Sequence, residues 1–590
     1  MLKRFPRFIL LVIAVACTVS GWSQSASVVV ERNVVMKTRD GVALRADIYR
    51  PAGLGTYPVL LQRTPYNKEG DDFARAAALR GYIVVIQDVR GRYTSDGDWY
   101  PFKYEMDDGY DTVEWAAALP GSNGKVGMWG GSYVGATQML AAISHPPHLA
   151  GICPVVTASN YHENWTYQGG AFEQWFDESW TSGLAQDTAN RAIRKNTNAM
   201  IGATVLPLKD YSIFNLNLPR DPSELTRQLA PYFEDWLDHP EYDSYWKQWA
   251  IDENYASIQV PALTIAAWYD IFQGGSLLNF QGLKAHAGNE NARSKQRLLV
   301  TIGGHAGGGR KIGSVDFGPA AAEFDENAIT LEWYDYLLQG KQNQFAAEKP
   351  VKIFVMGENQ WRQEDSWPLE RAKETRYYLD SDGKANSVSG KGLLSTAAAR
   401  HQTPDSYVYD PMNPVPTVGG PLCCDSEHLG PGPRDQRTVE ARSDVLVYST
   451  PPLDRDLEVT GPVTLDLFAT SSAVDTDFTG KLVDVGPDGF ARNLTEGIVR
   501  ARYRDSKTEA KLLEPGKAIE YKIDLWSTSN VFLKGHSIRV EVSSSNFPRF
   551  DRNLNTGKSA ATSDAAVKAT NTILHDAEHP SALVLPVVVR

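Results

Sequence analysis

A chain of 590 residues exceeds what one hydrophobic core holds, so the sequence predicts two or three domains. Hydrophobic residues at 42% and charged residues at 22% exclude bulk disorder. A formal charge of −12 argues against binding nucleic acid or anionic lipid through bulk electrostatics.

The first segment reads as an export signal. Lys3, Arg4 and Arg7 precede a short apolar run from Phe8 to Ala16, and small residues follow through Ser23. That run is too short for a transmembrane helix. Cleavage near Ser23 or Ser25 would leave a periplasmic or extracellular protein. It would also move the charge from −12 to about −15. Lipid attachment at Cys17 is the alternative, which Ala14 at the first lipobox position disfavours.

Val28 to Tyr49 alternates around Arg39-Asp40-Gly41 and reads as a hairpin. Tyr57–Arg63 and Tyr82–Asp88 are continuous apolar runs, which suit parallel strands buried on both faces. Helical patterns cover Phe73–Arg80 and Asp107–Ala118, and Gly124–Trp129 is the next strand. Strands alternating with helices predict a doubly wound α/β core over 26–149 and 250–345. An aromatic and acidic stretch over 150–249 reads as a helical insertion. Val260–Trp268 and Gln296–Ile302 then resume the buried strands, and Ala320–Leu338 closes the core as an amphipathic helix. From 348 to 590 short strands with frequent turns, VKIFVMG among the first, predict a sandwich or jelly roll.

The chemistry centres on Gly130-Gly131-Ser132-Tyr133-Val134-Gly135, after a strand and before a helix. A nucleophile elbow needs small neighbours there, because the serine sits on a sharp, strained turn. The later glycine falls one position beyond the usual G-x-S-x-G spacing. An activated serine needs a base, and the base an orienting carboxylate, in the chain order Ser, acid, His. Asp270 follows the strand ending in AAWY, and His305 follows LLVTI. His145 and His148 break that order, His162 and His239 fall in the insertion, and His286 has no preceding strand. The Tyr133 amide is the first oxyanion donor, and the loop Arg63 to Lys68 stands where the second should come from.

Cys153 reads as a buried apolar residue, and adjacent Cys423 and Cys424 as a vicinal disulfide or two thiols. No CxxC or His-rich spacing suggests a metal site.

These pieces resemble the cocaine esterase and Xaa-Pro dipeptidyl-peptidase-like hydrolases, whose relatives include α-amino-acid ester hydrolases and glutaryl acylases. RTPYNK, QDVRGRYTSDG, GKVGMWGGSYVGATQ, AAWYDIFQGG, IGGHAGG and YDPMNPVPTVGG carry the likeness from about residue 30 to the C-terminal end. The resemblance implies an α/β-hydrolase core, an inserted helical cap and a C-terminal jelly roll. It implies the Tyr66 hydroxyl as second oxyanion donor and an acyl pocket built from Trp165, Trp180 and Phe272. It further implies a small ester or amide substrate and no cofactor, and it makes a homo-oligomer plausible. The α-amino-acid ester hydrolases place an acidic pair just after the catalytic Asp; here Phe272 and Gln273 stand there, which disfavours acyl groups bearing a free ammonium. Glu173, Asp177 or Glu178 could still supply an acid from the cap.

Overall fold

The computed structural model describes residues 27–194, 224–305, 307–401, 403–424 and 427–589. The export segment expected over 1–25 lies outside them. No helix among the described residues is long and apolar enough to cross a membrane.

Ten strands form the core sheet: β1 (Val28–Lys37), β2 (Ala43–Pro51), β3 (Tyr57–Thr64), β4 (Ile83–Asp88), β5 (Ser122–Gly131), β6 (Leu149–Val155), β7 (Leu263–Tyr269), β8 (Arg297–Gly304), β9 (Val351–Val355) and β10 (Gln360–Glu364). Their order is β1-β2-β4-β3-β5-β6-β7-β8-β9-β10. The run from β4 to β9 is parallel, and antiparallel pairs close both edges. Alternate residues of the central strands enter different cores, as the pleat requires. Val59 and Leu61 pack with the helices α2 (Glu105–Ala117) and α3 (Tyr133–Ile143) on one face. Leu60 and Trp129 face the other way, against α1 (Asp72–Leu79) and α6 (Glu326–Gln339).

Two boundaries differ from the sequence reading. Leu149–Val155 is a central core strand, so the insertion starts after residue 155 and not at 150. Val351–Val355 and Gln360–Glu364 also belong to the core sheet and not to the C-terminal domain. The VKIFV run pairs in parallel with β8, Leu298 to Val300 against Val351 to Ile353.

The described part of the insertion is mainly helical. It holds a short helical turn, His162–Thr166, and the helices α4 (Gln174–Arg194) and α5 (Pro231–Asp238). Beyond β10, eleven strands make an all-β unit that is antiparallel apart from one short pair. This unit braces the core. The Met356 amide donates to Ser529 O, and the Met356 carbonyl accepts the Val531 N–H, each at 2.9 Å. Trp175 at the start of α4 donates its amide to Pro548 O at 3.0 Å.

Gly127 on β5 shows how closely the layers approach. A Cβ there would lie 2.3 Å from the Tyr334 ring of α6, whose hydroxyl donates to Met128 O. Gly127→Ala is therefore expected to cost about 1–3 kcal/mol through overpacking, read as a lower urea midpoint. An unchanged midpoint would mean that sheet and helix have slack there.

Candidate active site

Ser132 stands between the end of β5 and the start of α3 with φ 60° and ψ −129°. That left-handed conformation lifts its hydroxyl above the sheet and stores strain. At Gly130, φ is +125°, and a Cβ would lie 2.4 Å from Val134 Cγ1. At Gly135 it would lie 2.7 Å from Thr157 Cβ. The displaced glycine thus has a physical cause: Val134 closes on Gly130, and the bare position is needed where α3 crosses Thr157.

His305 and Asp270 follow β8 and β7, at the carboxyl edge where open α/β sheets gather their sites. His305 Nε2 lies 2.9 Å from Ser132 Oγ, and Nδ1 lies 2.7 Å from Asp270 Oδ1. Asp270 is fully buried, and its Oδ2 accepts the Phe272 N–H at 3.0 Å. The carboxylate makes Nδ1 the protonated nitrogen and leaves Nε2 to accept from the serine.

Tyr66 lies in the loop after β3, and its hydroxyl is 3.3 Å from Ser132 Oγ. The residue as a whole is 38% exposed, but the hydroxyl points inward. Trp180 on α4 donates its indole N–H to that oxygen at 3.0 Å, which leaves the phenol proton free to be donated elsewhere. Burial pushes the phenol above its ordinary value, opposed by bonds from Ser132, Trp180 and the Tyr133 amide. It therefore stays a neutral donor at pH 7.

The QDVRGRYTSDG segment, to which the sequence reading gave no role, clamps this loop. Arg92 Nε donates to Pro65 O at 2.9 Å and Arg92 Nη1 to Leu184 O of α4 at 3.0 Å. Asp88 accepts the Lys68 amide at 2.9 Å and the Thr94 hydroxyl at 2.7 Å.

The three pocket aromatics meet beside the serine. Trp165 stacks on Phe272 with centroids 4.4 Å apart, and Trp180 stands edge-on to Trp165 at 5.4 Å. Phe272 in turn meets the His305 ring at 5.1 Å. Gln273 faces away, exchanging hydrogen bonds with the Ser527 backbone at 2.6 and 3.0 Å. Of the cap acids, Glu173 pairs with Arg549 at 3.4 Å. The Asp177 carboxyl has no hydrogen-bond partner among the described residues, and Glu178 accepts from Gln174 at 3.3 Å. His148 bonds Glu114, His162 bonds Pro240 O and His239 bonds Asp243. Cys153 is buried, which pushes its thiol up. Cys423 and Cys424 form a vicinal disulfide, and Cys423 joins the same apolar cluster as Trp165 and Phe272.

An α/β core with a serine elbow, and a His and an Asp on the following strands, defines a serine hydrolase. Residues 40–307 match the family model described as X-Pro dipeptidyl-peptidase (S15 family), and 343–584 match the C-terminal non-catalytic domain of X-Pro dipeptidyl-peptidase. The chain is 40% identical to cocaine esterase of Rhodococcus sp. over 578 residues, 95% of this chain and 99% of that one. The structure of an aminopeptidase from a marine sediment Thaumarchaeota archaeon matches with TM-score 0.79 at 27% identity, over 96% of this chain and 97% of that one. An α-amino acid ester hydrolase matches with TM-score 0.79 at 25% identity over the same shares. The chain belongs to the cocaine esterase and X-Pro dipeptidyl-peptidase (S15) family of serine hydrolases.

The cap acids give a pH signature. Burial raises Glu173 to about 7, and raises Asp177 and Glu178 well above the carboxylate range. A carboxyl with a raised folded pKa stabilises fully below its unfolded value and loses that contribution as pH rises through the folded one. Glu173 should thus weaken the fold between its ordinary 4.5 and about 7. Thermal melts across that window should show Glu173→Gln falling less steeply than the wild type; parallel slopes would mean that the carboxyl is not desolvated.

Proposed function

We propose that the protein hydrolyses carboxylic esters through an acyl-enzyme on Ser132, with His305 as general base and acid and Asp270 as its orienting carboxylate. The observation that carries this reading is the unbroken pair of bonds, 2.9 Å and 2.7 Å, from the strained serine through His305 to a buried carboxylate. His305 Nε2 takes the Ser132 proton as Oγ attacks the carbonyl carbon. The Tyr66 hydroxyl and Tyr133 amide receive the oxyanion. The C–O bond to the alcohol breaks as His305 returns the proton to the leaving oxygen. Water, deprotonated by His305, then attacks the acyl carbon; the bond to Ser132 Oγ breaks as His305 returns the proton to Oγ, and the acid leaves.

Trp165, Trp180 and Phe272 support a bulky or aromatic apolar acyl group, held by burial and ring contact. Amide cleavage, the activity in the matched family's name, runs through the same steps with an amine as leaving group. Phe272 and Gln273 place no carboxylate beside Asp270 to hold a dipeptide's free ammonium, which favours neutral esters. The basic and apolar opening of the chain and the vicinal disulfide together support export to an oxidising compartment.

A fluorophosphonate probe should label the wild type and not Ser132→Ala; equal labelling of both would overturn the assignment of the nucleophile. Tyr66→Phe should lower kcat for a p-nitrophenyl aryl ester by about 10²–10³-fold, the cost of one oxyanion donor. A loss under threefold would remove the phenol from the oxyanion site.

A further inference from the structure

Both oxyanion donors, on which this inference rests, hang from one buried ion pair. Tyr133 offers its amide to the cleft, but its side chain points away and is fully buried. Its ring lies between Phe102 and Trp180, with centroids 5.2 and 6.0 Å away. The phenol accepts the Phe102 N–H at 2.7 Å and donates to Glu105 Oε1 at 3.0 Å. Phe102 sits at φ 68°, which a non-glycine residue holds only where its surroundings impose it. Glu105 opens α2, and its Oε2 lies 2.5 Å from Arg63 Nη1. Arg63 is fully buried in β3, three residues before Tyr66. Its Nε donates to Gln87 Oε1 at 3.0 Å, and its carbonyl accepts the Thr137 hydroxyl of α3 at 3.2 Å. A continuous run of bonds therefore joins the strand that delivers Tyr66 to the helix that delivers Tyr133.

Such a pair is a weak source of stability, because the cost of desolvating two charges offsets their attraction and apolar side chains of equal volume could replace it. What charge-assisted bonds supply and apolar packing does not is a fixed geometry. Oxyanion donors need that geometry, since a displacement of about 1 Å costs up to about 10²-fold in rate.

We infer that Arg63 and Glu105 are positioning residues for the oxyanion site: their ion pair fixes the spacing between the Tyr66 hydroxyl and the Tyr133 amide by holding the end of β3 in register with the first turn of α3. They touch neither substrate nor reacting atoms, so their effect falls on the transition state.

The test measures kcat, KM and inhibition by an arylboronic acid, whose tetrahedral adduct on Ser132 puts an oxygen where the oxyanion forms. All rates are normalised to fluorophosphonate-reactive sites, so misfolded protein does not count. Glu105→Gln should lower kcat about 10- to 100-fold, keep KM for a neutral ester within about twofold, and weaken the boronate by the same factor as kcat. Tyr133→Phe keeps the ring and the ion pair but cuts their link, and should show the same proportional loss. Wild-type kcat and boronate affinity per active site in both variants would overturn the role. So would a fall in kcat with boronate binding unchanged. A wild type that neither labels at Ser132 nor binds the boronate would fail the nucleophile assignment itself, which is a different result.

Discussion

Ser132 at φ 60° is the constraint on which the rest of the structure turns. A non-glycine residue held there costs of order 1–3 kcal/mol, and it persists only where its neighbours over-determine it. They do so here. Its amide donates to Val155 O at 2.9 Å, and its carbonyl accepts the Thr157 hydroxyl at 2.9 Å. Gly130 and Gly135 permit the close approaches on either side. The strain fixes the hydroxyl where His305 and Tyr66 can both reach it.

The three units of the chain share the work of holding that point. The core supplies Ser132, Asp270 and His305 from the ends of three strands. The insertion supplies Trp180, which bonds Tyr66, and the Leu184 carbonyl, which Arg92 grips. The C-terminal unit holds Gln273 through the Ser527 backbone, just past the loop that carries Asp270. It also meets the start of α4 through Pro548 and Arg549. A site at the junction of three units is rigid only while all three stay packed.

Much of the core was legible in the sequence, because parallel strands buried on both faces write continuous apolar runs such as YIVVIQD. The elbow, Asp270 and His305 were legible because chain order and the ends of strands leave few candidates. Leu149–Val155 escaped as a strand because Gly151 and Pro154 interrupt its apolar run, and a proline demotes a segment as a central strand. Val351–Val355 was read into the C-terminal domain because a strand followed by a turn and a second strand looks alike in either sheet. Arg63, Asp88 and Arg92 lie in motifs that carry the family likeness, but nothing local in them, or around Glu105, says what these charges hold. A charged residue that will be buried looks like a solvated one until its partner is known. Arg63 and Glu105 are 42 residues apart.

The central claim is that a covalent acyl group passes through the Ser132 oxygen. Mixing the enzyme with a slowly deacylating aryl ester, quenching in acid during the burst and mapping the peptides by mass tests it directly. The account predicts the acyl mass on the peptide that contains Ser132, formed and lost at rates compatible with turnover. Turnover with no acyl mass at that residue, or with the mass on another side chain, would contradict it.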